Sequence, residues 1–260
     1  MRSMWSGYIS FGLVNIPVKL YTAVDDKSLN LDMLHKSDFS RIRYARKCNL
    51  EEKEVPFEEI VKGYEYEPDK YVILTDEDFE KANVKKSKSI SVLNFISSAD
   101  IDFMNFDKPY YLEPNGSEKA YVLFSEALKK TKKSAFVKYV FKNKEHIGLV
   151  SLRDQLLVLE QLRFPDEIRK DEALNKPKKE TISEKEMKVA VNLIDQMTEK
   201  FDIKNYKDTY KEELQRIIDE KKEGRIPAAK GEAPSATRIP DLMKILEQSL
   251  NEQKQKVKTK

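Results

Sequence analysis

The sequence predicts an α+β protein: short strands forming a barrel or sandwich with helical inserts, then an α-helical arm, then a short C-terminal helix and tail. Three observations predict it. Up to about residue 170 the chain offers many short runs rich in Val, Ile, Phe, Tyr and Leu, each bounded by Pro, Asn, Asp, Gly or Lys, which is the pattern of strands joined by turns. Few helical crossovers intervene, so a barrel or sandwich is favoured over a parallel sheet. After Pro177 the apolar spacing changes from the strand period to the helical one.

Taken in order, the strand-like runs cover residues 8–14, 18–21, 71–74, 90–95, 110–112, 135–141, 148–152 and 156–162. Two helical inserts interrupt them. Residues 75–82 open on Thr75 with Asp78 three positions on, close to a capping box. Residues 117–130 open on Ser117 and carry Ala120, Leu123, Phe124, Ala127 and Leu128 on one face. In the last third, Ser183 and Glu186 form a capping box ahead of Met187, Ala190, Val191, Ile194 and Met197 at helical spacing. Residues 202–206 break that helix. A second follows over residues 207–222, with Tyr210, Leu214, Ile217 and Ile218 inward, and Gly224 ends it. Residues 225–237 hold Pro, Ala and Gly without periodicity and read as a linker. Leu242, Ile245, Leu246 and Leu250 then mark one face of a short helix over residues 240–250, and the tail beyond is basic.

Composition excludes several classes. The 260 residues, 40% hydrophobic and 36% charged, suffice for a sizeable core. Forty-eight basic side chains against 45 acidic leave a net charge of only +3, which decides nothing about nucleic acid because basic patches can hide in a near-neutral total. No apolar run approaches the roughly 18 residues a bilayer span requires, so no membrane association is expected. The amphipathic N-terminus does not read as a signal peptide. A single cysteine, Cys48, agrees with a reducing, intracellular setting.

No catalytic constellation emerges. His35 and His146 lie in no ligand-spaced motif, and one cysteine cannot build a standard zinc site. Asp100, Asp102 and Asp107 would need further convergent carboxylates to hold a metal, and they sit in an acidic connector. The seven glycines are scattered, so no phosphate-binding glycine loop forms. Neither a Gly-x-Ser-x-Gly elbow nor a Ser/His/Asp order is present. The sequence does not read as an enzyme, and no metal or cofactor is expected.

One segment stands apart. From Arg41 to Lys47 the chain reads Arg-Ile-Arg-Tyr-Ala-Arg-Lys, with His35 and Lys36 ahead of it. As an extended strand it would point Arg41, Arg43 and Ala45 one way and Ile42, Tyr44 and Arg46 the other. Two readings stand: a solvated edge strand whose charges block aggregation, or a strip that tracks phosphates. A second cluster, Lys129, Lys130, Lys132 and Lys133, ends a helix, where the helix dipole already favours cations.

The pattern resembles the prokaryotic Ku family, the DNA-end-binding proteins of bacterial non-homologous end joining. The likeness starts at WSGYISFGLVNIPVKLY from Trp5 and continues through Leu34-His35-Lys36, Arg41-Ile42-Arg43-Tyr44, VPFEEIVKGYEY from Val55 and YVILTDED from Tyr71. It goes on in FDKPYYL from Phe106, Glu118-Lys119-Ala120-Tyr121 and Asp241-Leu242-Met243, and so spans nearly the whole chain in order. The resemblance implies a β-barrel domain over residues 1–176 with a DNA-encircling bridge at about 30–70, a helical arm over 177–225, and a linker, helix and tail over 226–260. It implies no von Willebrand-type domain ahead of the barrel.

It further implies a cytoplasmic, nucleoid-associated homodimer that closes a ring over double-stranded DNA ends and recruits an ATP-dependent ligase, ligase D. The expected DNA-binding residues are Arg41, Arg43, Arg46 and Lys47, with Lys36, Lys138, Lys142 and Lys144 behind them. The expected ligase-binding residues are Asp241, Leu242, Met243, Ile245, Leu246 and Leu250. Some members look as if they carry a Cys-x-x-Cys pair, whereas Cys48-Asn49-Leu50-Glu51 has one thiol, so no zinc knuckle is expected. Acidic residues 51–54, 58–59 and 76–80 would face outward. Two rival functions remain, a single-strand or RNA binder needing exposed aromatics for stacking and a lyase or nuclease. The aromatics, lying mostly in apolar strand patterns, read as core.

Overall fold

The first apolar run turns back on itself. Trp5–Phe11 (β1) and Val14–Thr22 (β2) pair antiparallel, from Trp5 opposite Leu20 to Phe11 opposite Val14. Between them Gly12 adopts φ +58°, a conformation costly to any side chain with a Cβ, and Leu13 projects fully into solvent. The run expected as one strand over residues 8–14 is therefore the tip of a hairpin. The computed structural model describes residues 1–82, 88–142 and 144–226, and the chain divides into two units, Met1–Glu172 and Ala173–Lys260.

In the first unit the remaining strands are Lys62–Glu67 (β3), Lys70–Leu74 (β4), Ser89–Ile96 (β5), Phe106–Pro114 (β6), Ser134–Phe141 (β7), Lys144–Arg153 (β8) and Leu156–Leu162 (β9). Seven of the nine strands among the described residues close a barrel in the order β1-β2-β6-β9-β8-β7-β5, sealed by a parallel pairing of β1 with β5. Alternation sets the inside: Ala135, Val137, Tyr139 and Phe141 of β7 are buried while Lys138 faces solvent. Ile9, Ile16, Val18, Leu20, Leu112, Val150, Leu157 and Leu159 complete the lining. Gly148 sits where a Cβ would stand 2.7 Å from the Glu160 backbone oxygen, so only glycine lets β8 and β9 approach this closely. The β3–β4 hairpin lies outside the barrel, and β3 has no buried residue. Sequence reading did not single out β3, whose Tyr64-Glu65-Tyr66-Glu67 alternates but holds no run of aliphatic residues.

Two helices complete the unit. Asp76–Ala82 (α1) starts on the expected cap, with the Thr75 hydroxyl donating to the Asp78 carboxylate at 2.8 Å. In Glu118–Thr131 (α2) the buried face holds Tyr121, Phe124 and Leu128. Leu123, expected inward, is exposed. Tyr121 takes the inward place because its hydroxyl has work there: it donates to the Leu112 carbonyl (2.6 Å) and accepts the Leu157 N–H (2.7 Å) where β6 and β9 pair.

In the second unit, Glu184–Met197 (α3) begins with the expected box, the Ser183 N–H donating to Glu186 Oε2 at 2.8 Å. Thr209–Lys222 (α4) begins two residues later than expected because Asp208 caps it, accepting the Lys211 N–H at 2.9 Å. Leu214, Ile217 and Ile218 are half-buried, but Tyr210 is exposed rather than inward. Gly224 follows the helix at φ +75°. The short helix expected over residues 240–250 lies outside the described residues, as do Asp241, Leu242, Met243, Ile245, Leu246 and Leu250.

Candidate nucleic-acid interface

Between β2 and β3 the chain makes an excursion, residues 23–61, that contains two loops of one build. In the first, the Phe39 N–H donates to the His35 carbonyl (2.8 Å), the His35 N–H to Ser40 (2.8 Å) and the Ile42 N–H to Met33 (2.9 Å). In the second, Glu52 donates to Cys48 (2.9 Å), Cys48 to Lys53 (2.9 Å) and Val55 to Arg46 (2.8 Å). Each closes on one β-bridge, Leu34 to Arg41 and Lys47 to Glu54. Each turns at a left-handed residue, Phe39 at φ +57° and Glu52 at φ +54°.

The basic strip is the connection between these loops, not the continuous strand the alternation suggested. Arg41 closes the first loop and Lys47 opens the second, and only those two positions make bridges. All residues from 31 to 47 are exposed. Their commitments differ. Arg41 pairs with Asp32 at 3.0 Å. The Arg46 guanidinium lies over the Phe57 ring, 5.3 Å from its centroid, a cation–π contact that uses no N–H donor on a carboxylate. Among the described residues no carboxylate pairs with Lys36, Arg43 or Lys47. Nothing in the sequence pattern pointed to Asp32 or Phe57 as partners.

The other expected cations sit elsewhere, on the β7–β8 hairpin of the barrel. Lys138 is tied across strands to Glu145 at 3.0 Å. Lys142, in the turn at φ +51°, holds its ammonium 5.5 Å from the centroid of Phe141. Lys144 begins β8 and pairs with no carboxylate among the described residues. The acidic stretch at 51–54 is not set apart from the strip, because Glu51, Glu52 and Glu54 belong to the second loop itself.

The expectation that the aromatics are core fails in this excursion and in the hairpin after it. Phe39, Tyr44, Phe57, Tyr64, Tyr66 and Tyr71 are all exposed, as are Val24, Leu31, Ile60, Val61, Val72 and Ile73. Such a concentration of exposed apolar side chains marks an interaction surface.

Carboxylates weighed as metal ligands have local structural work. Asp100 completes a capping box with Ser97, Asp102 caps the next turn by accepting the Met104 N–H (2.9 Å), and Asp107 pairs with Arg163 at 2.7 Å. His35 Nδ1 lies 3.1 Å from Asp38, whose carboxyl the Ser40 N–H holds below its ordinary range. His146 stacks on Tyr139. Among the described residues no group of three or more His, Cys, Asp or Glu side chains is placed to hold a metal ion, and no helix is long and apolar enough to cross a membrane.

Residues 10–189 match the family model described as the Ku70/Ku80 beta-barrel domain. Curated relatives named "Non-homologous end joining protein Ku" include one from Opitutus terrae, 39% identical over 97% of this chain and 92% of its own length. Another, from Bacillus subtilis, is 37% identical over 96% of this chain and 82% of its own. A third, from Mycobacterium tuberculosis, is 37% identical over 86% of this chain and 84% of its own.

Proposed function

The chain belongs to the Ku family, and from that premise we propose that it binds the ends of double-stranded DNA, without sequence preference, in double-strand-break repair by non-homologous end joining. In this reading two copies close a ring, the excursion at about residues 30–70 bridges the duplex, residues 177–225 form an arm, and residues 226–260 recruit an ATP-dependent ligase of the ligase D kind. Its role is binding rather than catalysis.

One observation carries the reading: Lys36, Arg41, Arg43, Arg46 and Lys47 are all exposed on a frame of paired loops. Phosphates need cations and no base-edge geometry, and no helix presents this strip to a groove. The exposed apolar residues of the same stretch support assembly, since a two-fold dimer buries one patch against its own copy. The test compares binding to linear duplex and to covalently closed circular duplex of equal length. Binding confined to the linear form is expected, and equal affinity for both would end the ring reading.

A second reading is favoured by one specific observation. Tyr44, Phe57, Tyr64 and Tyr71 are exposed among cations, which suits stacking on single-stranded bases. An excess of single strand that displaced the protein from duplex ends would select it.

A further inference from the structure

At the C-terminal end of α2 an open cavity of about 550 Å³ lies against the barrel, and the exposed residues Lys129, Lys132 and Lys133 line it. Ser98, Ser134 and Ser151 add hydroxyls to its wall, and Asp154 of the β8–β9 turn adds one carboxylate. Three positive charges against one negative leave the cavity with a surplus of two.

The helix dipole alone does not account for these lysines. At the end of α2 the Lys132 and Lys133 N–H groups donate to the Lys129 and Leu128 carbonyls at 3.3 Å, and the Thr131 hydroxyl donates to Ala127 at 2.8 Å. Lys132 itself stands at φ +53°, the left-handed cap position usually given to glycine or asparagine, because a Cβ there is strained. A lysine at that position gives up stability and sets a charge at the cavity. Lys129 is shared with Glu126 at 3.8 Å, whereas among the described residues no carboxylate pairs with Lys132 or Lys133.

We propose that this cavity binds a small polyphosphate anion, independently of the DNA surface. Ammonium groups act as point charges on phosphate oxygens, and neighbouring hydroxyls donate to the same oxygens. The volume falls in the range of small-molecule sites and exceeds what one phosphate fills. The cavity is separate from the basic hairpin tip. The cavity lies at the Ser134 end of β7, and the basic hairpin tip of Lys142 and Lys144 lies past its Phe141 end, roughly 23 Å away at about 3.3 Å per residue.

The test is calorimetric titration of the full-length protein with inorganic tripolyphosphate and with ATP, alongside duplex-end binding. One saturable site per chain is expected for both anions. The double variant Lys132→Gly, Lys133→Gln should weaken it about tenfold or more, with a melting temperature no lower than the parent's because glycine relieves the cap. Lys129→Gln provides a second reading at an exposed position, with a smaller loss expected. Lys130→Gln, at the same helix end but off the cavity wall, should leave affinity unchanged. Absence of saturable heat, equal loss in Lys130→Gln, or full affinity in the double variant would overturn the proposal. Displacement of tripolyphosphate by a short duplex at stoichiometric ratio would overturn it too, assigning the cavity to the DNA surface. Failure of the parent to bind duplex ends would instead strike the proposed function and leave this site standing.

Discussion

Replacing Arg43 and Lys47 together by glutamine removes two exposed cations that no carboxylate holds among the described residues. The expected loss follows from counterion release. Each neutralised phosphate contributes a slope of about 0.9 in log affinity against log salt, so at about 0.15 M salt one contact is worth roughly fivefold. A two-fold ring presents each residue twice, which makes four contacts. Affinity for duplex ends should then fall by roughly a thousandfold, and the slope should flatten by about 3.6. The fold should hardly notice, since solvated charges outside networks shift stability by about 0.5 kcal/mol or less. Fluorescence anisotropy on a short blunt duplex across a salt series measures both quantities, with thermal melting in parallel. An unchanged slope with unchanged affinity would refute the assignment and leave the strip as a protective charged edge. Arg41→Gln makes an internal comparison: Asp32 already holds Arg41 at 3.0 Å, so its removal should cost less than that of Arg43.

Three further predictions concern the barrel. Gly148→Ala places a Cβ 2.7 Å from the Glu160 backbone oxygen, which cannot swing aside; about 1–3 kcal/mol should be lost, seen as a lower denaturant midpoint, and an unchanged midpoint would show that β8 and β9 can part there. Tyr121→Phe leaves the buried Leu157 N–H without its 2.7 Å acceptor and the Leu112 carbonyl without its donor, at a cost of about 1–3 kcal/mol, measured in the same unfolding experiment. Burial holds the Glu160 carboxyl above its ordinary value of 4.5, with Arg153 opposing. The folded state therefore keeps this proton longer than the unfolded one, and the stability that the protonated form contributes, full below 4.5, is lost as pH rises through the folded value. Glu160→Gln cannot ionise, so its melting temperature relative to the parent should rise between acid and neutral pH, and a flat difference would count against the burial argument.

The barrel was legible because its strands obey one rule. Where a face is buried, period two shows, as in Ala135, Val137, Tyr139 and Phe141 against Lys138. Burial is not needed for a strand to show: β4, almost wholly exposed, was found by its apolar run, whereas β3, with Tyr64 and Tyr66 alternating with Glu65 and Glu67, was passed over because it lacks aliphatic residues. At Gly12 the apolar run continued through a turn, because Leu13 is exposed at a tip that tolerates any side chain. The helix α2 failed at one position for a chemical reason, since a hydroxyl that must satisfy two backbone groups outranks a leucine for the inward place. For the candidate interface, composition exposed the strip but not its architecture. The paired loops rest on main-chain hydrogen bonds and on Phe39 and Glu52 at positive φ, and neither residue type announces such a turn.

The near-neutral total charge and the exposed apolar stretch belong to one argument. Residues 36–47 carry five cations against Asp38, a local charge of +4, while residues 48–54 carry Lys53 against three glutamates, a local charge of −2. Screening reaches only about 8–10 Å at physiological salt, so a phosphate beside the first loop feels that loop and not the molecular sum. Sign therefore changes along the excursion, with Lys47 bridged to Glu54 where the basic and acidic stretches meet. The hairpin that follows, with Tyr64, Tyr71, Val72 and Ile73 exposed, cannot be stable in water as two strands alone. The apolar surface it exposes would be covered in the proposed dimer. Covering it would fix the two basic stretches at one separation, so the proposed assembly of the ring and the making of its phosphate-binding surface become a single event.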